Sequence, residues 1–152
     1  MKKYLTILLL AIISSIACSA QAPVKWRSTI KMTSPTEGIL TVKAIVSPGY
    51  HFYSTKVPAN GPVATSLDFE ASTGIKFIED FKPSVQPASH FDKSFNTKIA
   101  WWDQTVTFSR RFKVTDRANA VIKGSIKYMA CKDDTCTPPR TESVKLNIPA
   151  YK

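Results

Sequence analysis

From Val24 onward the chain alternates between apolar and polar residues. Val24, Trp26, Ile30 and Met32 fall on one parity, and Lys25, Arg27, Thr29 and Lys31 on the other. Successive side chains of a strand point to opposite faces, so this pattern predicts a strand with one buried and one solvated face. The same period of two recurs in Leu40-Val42-Ala44-Val46, Leu67-Phe69, Ile75-Phe77, Val106-Phe108 with Phe112-Val114, Ile122-Ile126-Tyr128 and Val144-Leu146-Ile148. Beyond residue 20 no stretch sustains a helical period. Roughly eight short strands, parted by turns such as Ser47-Pro48-Gly49, Asn60-Gly61-Pro62 and Thr115-Asp116, predict an all-β fold, an antiparallel β-sandwich of immunoglobulin-like type.

Two segments break the alternation. Pro83 to Lys98 carries prolines at 83 and 87 and then His90-Phe91-Asp92-Lys93-Ser94-Phe95-Asn96, which reads as an irregular loop whose two phenylalanines must pack against something. The other is Tyr128-Met-Ala-Cys131-Lys-Asp-Asp-Thr-Cys136-Thr-Pro-Pro139, flanked by Ile122 to Ala130 and Glu142 to Ile148, which are placed to pair as the arms of a long hairpin. Pro138 and Pro139 remove two amide donors and stiffen the return.

The first 20 residues have a secretory layout: Lys2 and Lys3, an apolar run from Leu5 to Ile13, and small residues ending Ala17-Cys18-Ser19-Ala20. Export to the periplasm or cell envelope follows. Ser15-Ile16-Ala17-Cys18 resembles a bacterial lipobox, so a lipid anchor at Cys18 is the alternative to cleavage near Ala20 or Ala22. The apolar run is too short for a comfortable membrane span, and no later segment reaches the ~20 apolar residues one needs. Residues 21-152 suit one domain with a hydrophobic core. The chain carries 21 basic and 11 acidic residues, a net charge of +10. The lysines are scattered, and export argues against nucleic acid as a partner.

Without Cys18, the cysteines are Cys131 and Cys136. In an oxidising compartment two cysteines are most often a structural staple. A loop of roughly six residues removes only about 2 kcal/mol of unfolded-state entropy, however, against close to 5 for about 100 residues. The loop interior, Lys132, Asp133, Asp134 and Thr135, is wholly polar, which places the sulfurs at a solvent-facing tip and not under a core. Such sulfurs exchange with partners. Three readings stay open: a redox-active pair, favoured; a structural bridge in a non-enzymatic protein-binding module; and an envelope metal site combining the cysteines with His51 and His90. The spacer is looser than Cys-x-x-Cys, and Asp133 and Asp134 disfavour a thiolate nearby.

Several segments together resemble the amino-terminal (alpha) domain of the thiol:disulfide interchange protein DsbD. They are Pro48-Gly49-Tyr50-His51-Phe52-Tyr53, Gly61 to Ser66, Phe91-Asp92-Lys93-Ser94-Phe95-Asn96 and Cys131-x4-Cys136-Thr-Pro-Pro. The resemblance implies an immunoglobulin-like domain whose inserted hairpin carries the active cysteines under a cap loop. It names Phe95 as the cap residue with Phe91 in reserve, includes Asp92 and Lys93 in the cap, and sets His51 and Tyr53 beside the sulfurs. It further implies that Cys136 forms the mixed disulfide with a partner and Cys131 resolves it. Asn96 stands where many relatives have glycine. Full-length relatives continue into a membrane electron-carrying domain and a thioredoxin-like domain, whereas this chain ends at Lys152, so the expectation is that it takes its electrons from a separate protein or serves a different purpose on the same scaffold. The expected function is an exported dithiol/disulfide carrier with no bound cofactor and no metal. It would pass reducing equivalents from a membrane or thioredoxin-like donor to oxidised envelope proteins, including thioredoxin-like acceptors, in the setting of cytochrome c biogenesis.

Overall fold

The computed structural model describes residues 22–152; the leader and the lipid-anchor alternative at Cys18 lie outside the described residues. In chain order the strands are β1 (Val24–Met32), β2 (Glu37–Val46), β3 (Tyr50–Tyr53), β4 (Ser66–Asp68), β5 (Ile75–Phe77), β6 (Lys82–Pro83), β7 (Ala88–Asp92), β8 (Thr97–Trp102), β9 (Val106–Val114), β10 (Val121–Tyr128), β11 (Ala130–Lys132), β12 (Thr135–Cys136) and β13 (Arg140–Asn147). A 3-10 turn at Arg117–Asn119, capped by the Asp116 side chain, precedes β10. Every described strand pairing is antiparallel, and the fold is the expected immunoglobulin-like one. Among the described residues no helix is long and apolar enough to cross a membrane.

The strands form three sheets. In the first, β1-β2-β9-β5, the pairing of β2 with β9 sets Val42 opposite Phe108 and Ala44 opposite Val106; β6 also pairs with β9. The second is β13-β10-β4 and the third β12-β11-β3-β8-β7. Alternation sends Leu40, Val42, Ala44, Phe108 and Phe112 of the first sheet inward, where they meet Ile122, Ile126 and Tyr128 of the second. Phe52 and Trp102 enter from the third. An aromatic thread joins all three sheets, with Trp26 5.4 Å from both Phe52 and Tyr128 and Trp102 5.2 Å from Phe52 and Phe108. Two of its polar groups find partners, the Tyr128 hydroxyl donating to the Val24 carbonyl (3.3 Å) and Trp102 Nε1 to the Val85 carbonyl (2.9 Å), whereas Trp26 Nε1 is buried without one. Burial of this aromatic and aliphatic surface is the main stabilising term.

The expected arms of the cysteine hairpin do pair, from Val121 opposite Asn147 to Tyr128 opposite Arg140. After Met129 the hairpin changes sheets, because Ala130 and Cys131 pair with Phe52 and His51 of β3. Gly49 permits this meeting. Its φ of +77°, in the left-handed region glycine favours, turns the chain back into β3, with the Tyr50 amide donating to the Ser47 carbonyl (3.0 Å).

The segment from Pro83 to Lys98 is not an irregular loop. Pro83 lies in β6, and β7 and β8 form a hairpin from Ala88 opposite Trp101 to Asp92 opposite Thr97. Four of the five β7 residues are exposed, so no apolar alternation marks it as a strand. The other strands beyond the expected eight or so, β3, β6, β8, β11 and β12, are short or lack a polar parity.

Candidate functional site

The third sheet has two working faces. Phe52, Trp102 and Ala130 point into the core, so their strand neighbours His51, Tyr53, Trp101 and Cys131 must point the other way. On that outer face a second apolar cluster gathers Tyr53, Ile99 and Cys131, flanked by Val57, Phe95, Trp101, Met129 and Cys136. Cys131 and Cys136 sit directly opposite each other on β11 and β12 and are joined as a disulfide. The two-residue tip between the strands carries Asp133 with φ +51°, a left-handed turn position that Asp tolerates.

The sulfurs are not both at a solvent-facing tip, as the polar loop suggested. Cys131 is 1% exposed and Cys136 is half-buried. The loop polarity described only Lys132, Asp133, Asp134 and Thr135, which are exposed; the register puts Cys131 against His51 and beneath the second cluster. The bridge therefore joins a buried cysteine to a half-buried one.

Asp92 ties the β7–β8 turn to the residues around the bridge. Its Oδ1 accepts from the Ser94 and Phe95 amides at 2.9 and 3.3 Å, which shapes the β7–β8 turn. Its Oδ2 accepts from the Tyr53 hydroxyl at 2.7 Å, and that hydroxyl lies 3.1 Å from Cys131 Sγ and 3.8 Å from Cys136 Sγ. Neither disulfide sulfur carries a proton, so the single hydroxyl proton belongs to the stronger, charge-assisted bond with Asp92. Burial, followed by that hydrogen bond and the Asp92 charge, raises the Tyr53 pKa above its ordinary value, and the phenol remains a donor. The same turn folds Phe95 back over the bridge, edge-on to Tyr53 at 6.0 Å, whereas Phe91 is 58% exposed. Asn96 takes φ +50°, supplying the left-handed residue with a side chain in place of glycine.

His51 and His90 are brought together, but around Trp101. The indole stacks on His51 at 4.2 Å and on His90 at 4.4 Å, and the two imidazoles come from the strands on either side of β8. The ring between them keeps them from pointing at one ion, and no group of three His, Cys, Asp or Glu side chains able to hold a metal occurs among the described residues. Burial lowers the His51 pKa, opposed by the charges of Asp92 and Asp103 and assisted by His90. Beside the stack opens a cleft of about 660 Å³, walled in part by His51, Trp101, Lys93, Asp103, Asp133 and Asp134.

Trp101 and Ile99 were missed by sequence reasoning. The signal was present in Trp101-Trp102, since adjacent strand residues face opposite ways and only one of the pair can enter the core.

Comparison with known proteins agrees with this geometry. The family model described as "Thiol:disulfide interchange protein DsbD, N-terminal" matches residues 20–148. No curated protein sequence matches. Among solved structures, the N-terminal periplasmic domain of ScsB from Proteus mirabilis superposes with a TM-score of 0.62 at 15% identity, over 88% of this chain and 49% of that one. The reduced DsbD N-terminal domain of Neisseria meningitidis gives 0.50 at 13% identity, over 80% and 84%. The chain spans about half the length of the ScsB domain, and at these identities the likeness speaks for the fold. The family match covers most of the chain, which belongs to the family of DsbD amino-terminal, thiol:disulfide interchange domains.

Proposed function

We propose that this DsbD-family domain is an exported carrier of reducing equivalents, accepting them from a membrane or thioredoxin-like donor and passing them to oxidised envelope proteins. The observation that carries this reading is the asymmetry of the bridge: Cys131 is 1% exposed while its partner Cys136 is half-buried. An incoming donor thiolate reaches Cys136 Sγ, the bridge breaks, and its electron pair leaves on Cys131 Sγ; the donor's second thiol then attacks the donor sulfur of that mixed disulfide, closing the donor's own disulfide and releasing Cys136 as a thiolate. In the other direction Cys136 forms the mixed disulfide with an oxidised acceptor. Cys131, already opposite it, then attacks Cys136 Sγ and expels the acceptor's thiolate, which takes up a proton. Phe95, with Asp92 and Lys93 in the same turn, acts as the cap, and Phe91 offers an exposed apolar contact to the docking partner. The periplasmic setting of the ScsB domain supports the reading of residues 1-20 as a leader.

Trapping tests the roles. Cys131→Ala is expected to accumulate reductant-sensitive mixed disulfides with thioredoxin-like envelope proteins, and Cys136→Ala few. The reverse pattern would exchange the two roles. No trapped partner with either variant would turn the bridge into a structural one.

A further inference from the structure

Buried polar groups are nearly always hydrogen-bonded, so each exception needs a cause. His51 Nε2 is such an exception, buried and without a partner, on the face that carries the bridge. His51 stands directly across from Cys131 in the β3–β11 register, and directly opposed side chains have Cβ atoms about 4.5–5.5 Å apart. Its ring is fixed by the Trp101 stack and by Tyr53, edge-on at 5.3 Å. In the oxidised bridge Cys131 has no proton to offer. On reduction the buried thiol gains one, directly across the register from a ring nitrogen that has no other partner.

We infer that His51 takes the proton from the Cys131 thiol as that buried sulfur becomes the thiolate that resolves the mixed disulfide. The inference rests on the carrier reading above. The Cys131 S–H bond breaks and its proton passes to Nε2. The thiolate attacks Cys136 Sγ, the Cys131–Cys136 bond forms, and the bond from Cys136 to the partner breaks with its electron pair leaving on the partner's sulfur. The domain is oxidised and the partner reduced; the imidazolium returns its proton to solvent. Tyr53, although its hydroxyl lies 3.1 Å from Cys131 Sγ, is poorly suited to this work, because its raised pKa and its bond to Asp92 make it a donor. His51 has the opposite bias. Burial favours the neutral imidazole, the form that accepts a proton near neutral pH. The charged and titratable groups around it are Tyr50 and Tyr53 of β3, Asp92 and His90 of β7, Lys93 in the turn after it, Asp103 after β8, and Asp133 and Asp134 at the hairpin tip across the cleft.

The test is the reaction of reduced protein with dithionitrobenzoate, followed by stopped-flow absorbance from about pH 5 to 9, a range spanning the His and Cys reference values. Cys136 releases the first thionitrobenzoate, and Cys131 displaces the second as the bridge closes. In the wild type the second phase should be nearly flat above the His51 pKa and fall below it. His51→Gln, and His51→Phe which keeps a ring against Trp101, should slow that phase at least tenfold at neutral pH and make it climb with pH toward the thiol's own ionisation; general-base losses are typically 10²–10⁴-fold. The first phase serves as the internal control for folding. If both variants keep the wild-type pH profile, the inference is wrong. If the wild type fails to release the second equivalent, or Cys131→Ser still releases it, the carrier reading itself fails. A measurement needing no His51 variant is nitrogen NMR of the imidazole: on reduction Nε2 should shift to a hydrogen-bonded value in the wild type and stay put in Cys131→Ala. An unmoved Nε2 in the reduced wild type would also overturn the inference.

Discussion

Replacing Phe95 by alanine separates a cap from a core residue. Fully buried Phe→Ala changes cost about 3–5 kcal/mol. Phe95 is half-buried, and beyond its area it loses an edge-on contact with Tyr53, a geometry worth about 0.5–1.5 kcal/mol. The expected loss is therefore about 2 kcal/mol, read as a shift of the urea midpoint at unchanged slope. If that same packing holds the turn down over the bridge, removing it raises the population of the open form by at most about 30-fold, since each 1.4 kcal/mol is a factor of ten. Reduction of the bridge by dithiothreitol, followed by alkylation and gel shift, should then accelerate by between a few-fold and that ceiling. Phe91→Ala, at a 58% exposed position, should change stability by no more than about 0.5 kcal/mol and leave the rate alone. A loss of about 4 kcal/mol or more in Phe95→Ala would make it a core residue. A reduction rate unchanged within about twofold, less than the 0.5 kcal/mol scatter of surface substitutions, would remove the cap from the mechanism.

Tyr53→Phe should cost about 1.5–3 kcal/mol, the worth of a hydrogen bond to a charged group, because it strips a donor from the buried Asp92 carboxylate. In a double-mutant cycle with Asp92→Asn the two losses should be clearly non-additive; additivity in urea melts would mean the pair does not act as a unit. Reducing the Cys131–Cys136 bridge should lower stability by only about 2 kcal/mol, since it closes a short loop, and the reduced domain should keep its near-ultraviolet circular dichroism. Loss of that signal on reduction would show that the bridge is a staple after all.

The first sheet was legible because each of its long strands keeps most of its apolar residues on one parity, interrupted in β9 only by Arg110, with most of the polar residues on the other. Lys25, Arg27 and Lys31 face water while Val24 and Met32 are buried, and period two needs nothing more. The hairpin arms were legible for the same reason, Ile122, Ile126 and Tyr128 alternating with Lys123 and Lys127. The third sheet hid because it has no consistently polar face. Tyr50-His51-Phe52-Tyr53 and Ile99-Ala100-Trp101-Trp102 are unbroken apolar or aromatic runs, one parity feeding the core and the other the bridge. Such a run reads equally well as a fragment of helix, a loop anchor or a strand. β7 failed in the opposite sense, being exposed at four of its five positions.

The site shows the same division between what residue types reveal and what register decides. Cys131, Cys136, Tyr53, His51, Asp92 and Phe95 could all be named from short segments, yet nothing in those segments says that one cysteine is buried and the other half-buried. That difference comes from a single pairing. With Cys131 opposite His51, its side chain must share the face of Tyr53 and Trp101 and lie under the β7–β8 turn; a slip of one residue would send it to the core face beside Phe52. Asp92 belongs to the same argument. The polar context of Phe91 to Asn96 marks it as a solvated turn residue, and its amide bonds to Ser94 and Phe95 satisfy that description. Its second oxygen, buried against Tyr53, is visible only once the hairpin has folded over the bridge. One carboxylate thus fastens the turn over the bridge and holds the phenol beside Cys131, so on the carrier reading a partner that lifts the turn to reach Cys136 also loosens the hydrogen bonding around the covered sulfur that must later resolve the mixed disulfide.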